Sequence, residues 1–213
     1  MSSPSTERPD LPEAMTWEEL EHLPEEIAEQ IELWNGRVVQ LSRGPAAHQG
    51  LIFALTNALQ RCADEQLQST WRVDTDTKVF FGETGMSDFA SPDFVAYRPV
   101  DATCQESRAK DVLLVGEILP PPHTQPDRYS RQARYAKAGI PWYWEVTLKR
   151  RNSTIALVRA YALETSPGKL PPGVRPLYPS NYLLVGKWSP KDSDAIAIDF
   201  PFPIHIPWSN LKF

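Results

Sequence analysis

The sequence contains no apolar run long enough to cross a membrane, and it begins without a secretory signal. A membrane-spanning helix needs about 20 apolar residues, and no segment of this 213-residue chain comes near that length. The opening residues MSSPSTERPD are polar and lack the basic start and apolar stretch of a signal peptide. Cysteine is scarce as well: Cys62 and Cys104 show no metal-ligand spacing, so we expect two reduced thiols. Together these absences predict a cytoplasmic protein that has no membrane partner.

The chain also lacks an excess of positive charge. It has 22 Lys and Arg against 27 Asp and Glu, which gives a net charge of −5. Neutralisation of phosphates supplies most non-specific affinity for nucleic acids, so this balance excludes a protein coated in cations. Basic residues do cluster at 128–137 and 149–151, and one local cationic face is therefore compatible with the sequence.

Ordinary composition, with 41% hydrophobic and 23% charged residues, predicts one globular domain. We expect a flexible tail at 1–14 and a single domain at 15–213. Thr16 and Glu19 have the spacing of a capping box, which predicts a short helix from Trp17. Asn35-Gly36 lies between two apolar runs and predicts a hairpin with Glu32 on its first strand.

Longer patterns complete the predicted fold. Apolar residues recur at three- and four-residue spacing over 48–65, which predicts an amphipathic helix. The polar segment 126–139 ends in a glycine, which is typical of a helix terminus, so it is a second predicted helix. β-Branched and aromatic runs predict strands at 71–81, 93–97, 112–119, 142–148 and 155–163, and alternation at 181–188 and 196–206 predicts that the C-terminal part returns to the sheet. The order favours an α/β or α+β fold, built on one central mixed β-sheet flanked by helices, with extra C-terminal strands.

Two acidic residues stand out because they lie at or inside apolar strands, where an unpaired carboxylate is costly to bury. They are Asp93 in SPDFVAY and Glu117 in VLLVGEIL. On adjacent strands these carboxylates would meet at one edge and could hold Mg²⁺, whose remaining ligands are waters and a substrate phosphate. The competing interpretation is that Asp93 ends a turn and that Glu117 pairs with an arginine of the next helix.

The strings IELWNG, SPDFVAY, VGEIL and DRYSRQARYAKAGIPWYWEV, in this order, resemble bacterial proteins of the Uma-two type. These proteins are described as restriction endonucleases and form a branch of the PD-(D/E)XK nuclease superfamily. The resemblance spans about 16–163, and its most specific part is YAKAGIPWYWEV, preceded at the expected distance by the other strings. It implies a restriction-endonuclease-like core and metal-dependent hydrolysis of the phosphodiester bonds of DNA.

The resemblance also implies roles for individual residues. Asp93 and Glu117 would be the metal ligands for Mg²⁺ or Mn²⁺, and Glu32 would supply a third carboxylate, unless it is an exposed strand residue. His48 matches a position that could contact phosphate, but a capping or partly buried structural histidine fits as well. His123, in a proline-rich loop, is more typical of a solvent-exposed residue.

The sequence departs from the family pattern at the cation of the site. Leu119 stands where a lysine is usual, and Arg131 takes the position of the helical lysine found in this branch. An arginine can neutralise and orient a phosphate, but it stays protonated and cannot act as a general base. Arg128 and Arg134 on the same predicted helix are further candidates for phosphate contact, against the alternative of a solvated charged face.

Aromatic residues at 142–144 could stack on bases, but alternating aromatics in a strand are more often part of the core.

Two hypotheses for function follow from the whole sequence. The first is a Mg²⁺-dependent endonuclease acting on DNA, with Asp93, Glu117, Glu32 and Arg131 as its catalytic residues. The second is a degenerate nuclease fold that binds nucleic acid or protein without hydrolysis. A homodimer is also predicted, because apolar edge strands near the C-terminus could form an interface.

Overall fold

The computed structural model describes residues 11–41, 46–66, 70–99, 106–119, 125–149, 154–164 and 180–212. Within these ranges, none of the helices combines the length and the apolar character needed to span a membrane. Of the predicted tail, residues 1–10 lie outside the described residues. The last part of that tail is attached to the domain, since the backbone of Glu13 accepts a hydrogen bond from Val38 and Ala14 forms a β-bridge with Arg37.

Helices in the described part of the chain occur where the sequence predicted them, together with one short helix that it did not predict. They are α1 (Trp17–Glu21), α2 (Glu25–Ala28), α3 (Ala46–Asp64) and α4 (Gln125–Lys137). The strands are β1 (Ile31–Trp34), β2 (Arg37–Gln40), β3 (Arg72–Asp74), β4 (Lys78–Phe80), β5 (Phe89–Ala90), β6 (Phe94–Tyr97), β7 (Glu106–Arg108), β8 (Val112–Leu119), β9 (Trp142–Leu148), β10 (Ile155–Glu164), β11 (Asn181–Trp188), β12 (Ala195–Ile198) and β13 (Ile204–Pro207).

Local signals at the N-terminal side are confirmed. Thr16 and Glu19 form both hydrogen bonds of a capping box at the start of α1. Asn35 and Gly36 have φ angles of 52° and 80°, which is the left-handed conformation of a tight turn between β1 and β2. Gly139 follows the end of α4 and has a φ angle of 80°. Only glycine adopts this left-handed conformation without a steric cost.

The fold is α+β and contains a central mixed sheet, as predicted, but the expectation that one sheet holds all the strands is wrong. A six-stranded sheet has the order β11-β10-β9-β8-β6-β3, in which only β8 and β9 are parallel. A five-stranded sheet has the order β2-β1-β5-β4-β7, and β12 and β13 form a separate hairpin. Two C-terminal segments, 181–188 and 196–206, were predicted to return to the central sheet. Only the first does so, as β11.

The predicted strand at 71–81 is divided into two strands that belong to different sheets. Asp76, between β3 and β4, has a φ of 54°, and this left-handed residue interrupts the extended backbone. β3 then pairs with β6 in the central sheet, whereas β4 pairs with β5 and β7. The apolar pattern continues through the break, which is why the sequence does not reveal it.

Two apolar layers cover the opposite faces of the six-stranded sheet. On one face, α3 and the β12–β13 hairpin pack against residues that include Leu114, Trp144 and Val158. On the other face, Val115, Tyr143 and other buried residues pack under α4. Because side chains alternate along a strand, Glu117 projects on the α4 face, two residues beyond Val115.

Candidate active site

The carboxylates predicted from sequence lie at the same level of neighbouring strands. Phe94 on β6 is the partner of Gly116 on β8, so Asp93, immediately before β6, is placed beside Glu117. The pairing is tight, because a Cβ atom at Gly116 would lie 1.9 Å from the ring of Phe94. Only glycine therefore allows β6 and the Asp93 turn to approach β8 in this way.

Asp93 is fixed to the end of β8 by hydrogen bonds. Its Oδ2 accepts the backbone N–H of Ile118 at 2.6 Å, and the Nε2 of His48 lies 3.5 Å from the same oxygen. His48 is 6% exposed and its Nε2 is 3.2 Å from the carbonyl oxygen of Ile118. Burial lowers the pKa of His48, but the bond to Asp93 and the charge of that carboxylate outweigh it, and the net direction is upward.

His48 is thus a buried histidine that holds the Asp93 turn, which agrees with the structural alternative weighed from the sequence. Its Nδ1 is buried without a hydrogen-bond partner in the described structure. The position on α3 brings this helix, β6 and β8 together at one point of the site.

Glu32 comes from the five-stranded sheet and is completely buried, so the interpretation as an exposed strand carboxylate is wrong. It accepts hydrogen bonds from Trp34 Nε1 at 2.9 Å and from the backbone N–H of Ser91 at 2.8 Å. Arg131 donates through Nη1 to Glu32 at 2.9 Å and to Glu117 at 3.2 Å. One guanidinium on α4 therefore joins a carboxylate of each of the two larger sheets.

Glu117 accepts a second hydrogen bond, from the hydroxyl of Tyr135 at 2.6 Å. Burial raises the pKa of Glu117 to about 7; the Arg131 guanidinium opposes this shift, while the Asp93 and Glu32 carboxylates add to it. The charged form of Glu117 is consequently costly near neutral pH, mainly because the carboxylate is buried, and the single arginine offsets only part of that cost.

A second buried glutamate lies beside Glu117 and was not singled out in the sequence. Glu145 on β9 is the register partner of Glu117 and is completely buried. The Nε of Arg128 donates to it, and Arg159 Nη1 donates to its other oxygen at 2.8 Å. The string YWEV does contain the pattern that indicates Glu117, namely an acidic residue inside an apolar strand. The sequence interpretation, however, considered only the aromatic residues of this string.

The remaining predicted residues are also engaged. Arg134 donates to Asp88 at 2.6 Å, and its guanidinium lies 4.5 Å from the ring centre of Trp34. Arg128, Arg131 and Arg134 therefore pair with four carboxylates between them instead of forming a purely solvated face. Tyr143 and Trp144 are fully buried, which confirms the core alternative for these aromatics. His123 lies outside the described residues.

The donor set at Asp93 and Glu117 fits a divalent cation that takes few protein ligands. Glu32 and Glu117 share the guanidinium of Arg131, and Asp93, which lies beside Glu117, has a side chain that is 21% exposed. Among the described residues, no group of three or more His, Cys, Asp or Glu side chains converges to hold a metal ion. A closed protein cage is thus absent there, whereas Mg²⁺ usually takes one or two carboxylates and completes its shell with waters and phosphate oxygens.

The fold is similar to that of a solved crystal structure. A crystal structure described as "a putative nuclease belonging to DUF820", from Anabaena variabilis ATCC 29413, superposes with a TM-score of 0.57 at 16% identity. The match covers 92% of this chain and 97% of that chain. At this identity the similarity concerns the fold alone, and no curated protein matches the sequence.

The family follows from a second comparison. The model of the Uma2 family, described as "Putative restriction endonuclease", matches residues 17–170. The chain therefore belongs to the Uma2 family, and the resemblance recognised in the sequence is confirmed. The matched segment contains every residue of the carboxylate cluster, from Glu32 to Arg131.

Proposed function

We propose that this protein is a metal-dependent endonuclease of the PD-(D/E)XK type that hydrolyses the phosphodiester bonds of DNA with Mg²⁺ or Mn²⁺. The observation that carries the proposal is the charge imbalance near the end of β8, where Glu117 and Glu32 share the guanidinium of Arg131 and Asp93 adds a third carboxylate beside Glu117. Membership of the Uma2 family supports the choice of reaction.

In this proposal Asp93 and Glu117 hold the metal ion. Such an ion, when bound, supplies Lewis-acid polarisation of a phosphate and lowers the pKa of a coordinated water. The bond from Ile118 N–H and the contact with His48 keep Asp93 in place, while Tyr135 orients Glu117. Preorganised ligands of this kind avoid reorganisation when substrate binds.

Arg131 neutralises charge on the attacked phosphate. Its guanidinium is anchored by two carboxylates, whose charges raise its pKa against the opposing effect of burial, so it stays protonated. A protonated arginine orients and stabilises a phosphate but accepts no proton. Since Leu119 ends β8 where a lysine is usual, neither position supplies a general base.

The second candidate function is binding of nucleic acid or protein without hydrolysis. Two observations favour it: Leu119 replaces the usual lysine, and Arg131 already has two carboxylate partners. The first function accounts better for Glu117, because a protein that needs no cation would gain stability by replacing a buried carboxylate whose pKa is raised to about 7.

A cleavage assay separates the two candidates. Plasmid, linear duplex and single-stranded DNA are incubated with the purified protein in Mg²⁺, Mn²⁺ or EDTA. We expect cleavage with either cation and a loss of about 100-fold or more in Asp93→Ala, the scale seen when a key charge-stabilising group is removed. Asp74→Ala is the matched control, because Asp74 is an aspartate of the same sheet that pairs with Arg72 and Tyr97 and not with His48 and Ile118. Cleavage that persists in Asp93→Ala would overturn the assignment.

Arg131→Lys tests the role of the cation. Lysine keeps the charge but loses the planar fork that binds Glu32 and Glu117 together. A rise in cleavage would indicate that Arg131 weakens a site built for lysine, whereas a fall would indicate that the fork itself is needed. Arg134→Lys, which leaves Arg131 unchanged, is the control on the same helix.

A cytoplasmic location and a homodimer stay predictions. β11 is the terminal strand of the six-stranded sheet, and Leu183, Leu184 and Val185 on it are about half exposed at 52%, 54% and 49%. Two copies of this apolar edge could pair around a two-fold axis. Sedimentation of the wild type and of Leu184→Lys would show whether such a dimer forms.

A further inference from the structure

Glu117 of the candidate active site belongs to a row of charged residues that crosses four strands of the central sheet. The register pairs Glu117 with Glu145, Glu145 with Arg159, and Arg159 with Lys187 on β11. Side chains of register partners project from the same face, so all four lie on the α4 face, acidic at one end of the row and basic at the other.

The basic end of the row has the opposite charge balance to the active site. Arg128 and Arg159 both donate to Glu145, and Lys187 is exposed on the next strand. Three cations therefore accompany one carboxylate. A buried glutamate needs only one cation as its structural partner, so the second part-buried arginine carries positive charge that an approaching anion could neutralise.

Glu145 also orients these arginines. A guanidinium carries five N–H donors, and the bonds to Glu145 and Tyr161 use two on Arg128, while those to Glu145 and Thr147 use two on Arg159. The side chains of Arg128 and Arg159 are 15% and 28% exposed, so both reach solvent beside α4. A fork held in this way is preorganised for a phosphate.

We propose that Arg128, Arg159 and Lys187 form a binding track for the phosphates of a nucleic-acid strand that leads away from the cleavage position. The proposal rests on the function assigned above to Asp93 and Glu117. Neighbouring strands are about 4.8 Å apart, which places Arg159 and Lys187 about 10 and 14 Å from Glu117. At about 3.4 Å of rise per nucleotide, these cations would contact phosphates about three to four nucleotides from the bond that is cleaved.

The test is binding of a fluorescent duplex of about 20 nucleotides, long enough to extend past both the site and the track, measured by anisotropy in EDTA at several salt concentrations. Arg159→Gln and Lys187→Gln are each expected to weaken binding about twofold to tenfold and to lower the slope of log affinity against log salt by about 1. Arg159→Lys should restore the slope, since it keeps the charge. This variant also separates charge from any loss of folding around Glu145.

Matched controls lie outside the row. Arg72 on β3 is also a strand arginine paired with a carboxylate, and Lys212 is also an exposed lysine. Arg72→Gln and Lys212→Gln should leave both the affinity and the slope unchanged. Thermal melting of each variant confirms that the folded protein is being measured.

The outcomes separate this proposal from the proposed nuclease function. Unchanged affinity and slope in Arg159→Gln and Lys187→Gln, or no binding of duplex by the wild type, would overturn the track. If cleavage with Mg²⁺ nevertheless occurs, the nuclease function stands without it. If the slopes change as expected but no cleavage is found under any condition, the track stands and the nuclease function fails.

Discussion

Glu117 and Glu145 are the same residue type at the same level of adjacent parallel strands, yet their surroundings differ in charge. Glu117 shares one arginine with Glu32 and lies beside Asp93, whereas Glu145 receives hydrogen bonds from two arginines. Burial raises the pKa of Glu117 to about 7. Both glutamates are buried, so the charges around them decide which of the two could hold a cation and which could organise a contact with an anion.

The comparison also explains the arrangement of α4. Its three arginines reach carboxylates of different segments: Arg128 binds Glu145, Arg131 binds Glu117 and Glu32, and Arg134 binds Asp88. A helix with little apolar surface is thus fixed over the charged row by ion pairs, while Tyr135 and Ile140 below them fill the apolar layer. Displacement of α4 would uncouple both glutamates at once.

The largest expected effect on stability comes from removing Glu145. In Glu145→Ala, Arg128 and Arg159 lose their shared carboxylate in a part-buried place, and breaking a buried pair from one side costs about 3 to 5 kcal/mol. Urea denaturation measures this loss of unfolding free energy. Glu145→Gln, which keeps the shape and one acceptor oxygen, should cost less than Glu145→Ala. Equal stability of the wild type and Glu145→Ala would show that Glu145 does not anchor α4.

Glu117 should show the opposite behaviour, in a manner that depends on pH. Its pKa is raised from 4.5 in the unfolded chain to about 7 in the fold by burial, so the fold favours the neutral carboxyl. The wild type then carries no penalty below about pH 4.5, loses stability as the pH rises toward 7, and stays at the lower value above it. Glu117→Gln lacks this loss.

The measurement is the difference in unfolding free energy between the wild type and Glu117→Gln, followed in EDTA between about pH 4.5 and pH 8. We expect the difference to change by about 1 to 3 kcal/mol in favour of the variant as the pH rises. Glu21→Gln, on an exposed position of α1, is the control. A difference that does not vary with pH contradicts the described environment of Glu117.

The smallest effects are expected for the two tyrosines that serve the glutamates. Tyr135→Phe removes a hydrogen bond to Glu117, and Tyr161→Phe removes the acceptor of an Arg128 bond. Each should cost about 0.5 to 1.5 kcal/mol in urea denaturation. Only Tyr135→Phe should also weaken metal binding, because only Tyr135 touches a proposed ligand. Equal metal affinity in both variants would mean that Tyr135 does not orient Glu117.

Local and family signals made much of this fold predictable. The capping box at Thr16, the Asn35-Gly36 turn and the apolar periodicity of α3 each determine their element from a few neighbouring residues. The division of the strands between two sheets depends on Asp76 and on long-range pairing, neither of which changes the apolar pattern. The sequence could therefore show which segments are strands but not which sheet each one joins.

The same contrast holds for the site. Asp93 and Glu117 were found because each is an acidic residue in an apolar strand, and the motif order made the pair specific. Glu145 has the same sequence signal but is not among the predicted site residues. Its partner Arg159 lies in no motif that would indicate a site. Register connects these residues across strands that are distant in sequence, so the charged row could be recognised only in three dimensions.

The central claim is that Glu117 and Asp93 bind a divalent cation while the neighbouring Glu145 does not. Titration of Mn²⁺ into the wild type, Asp93→Asn, Glu117→Gln and Glu145→Gln, followed by electron paramagnetic resonance of free Mn²⁺, tests it without requiring activity. We expect saturable binding in the wild type and in Glu145→Gln, and its loss in the other two variants. Binding that survives both Asp93→Asn and Glu117→Gln, or that disappears only in Glu145→Gln, would contradict the account.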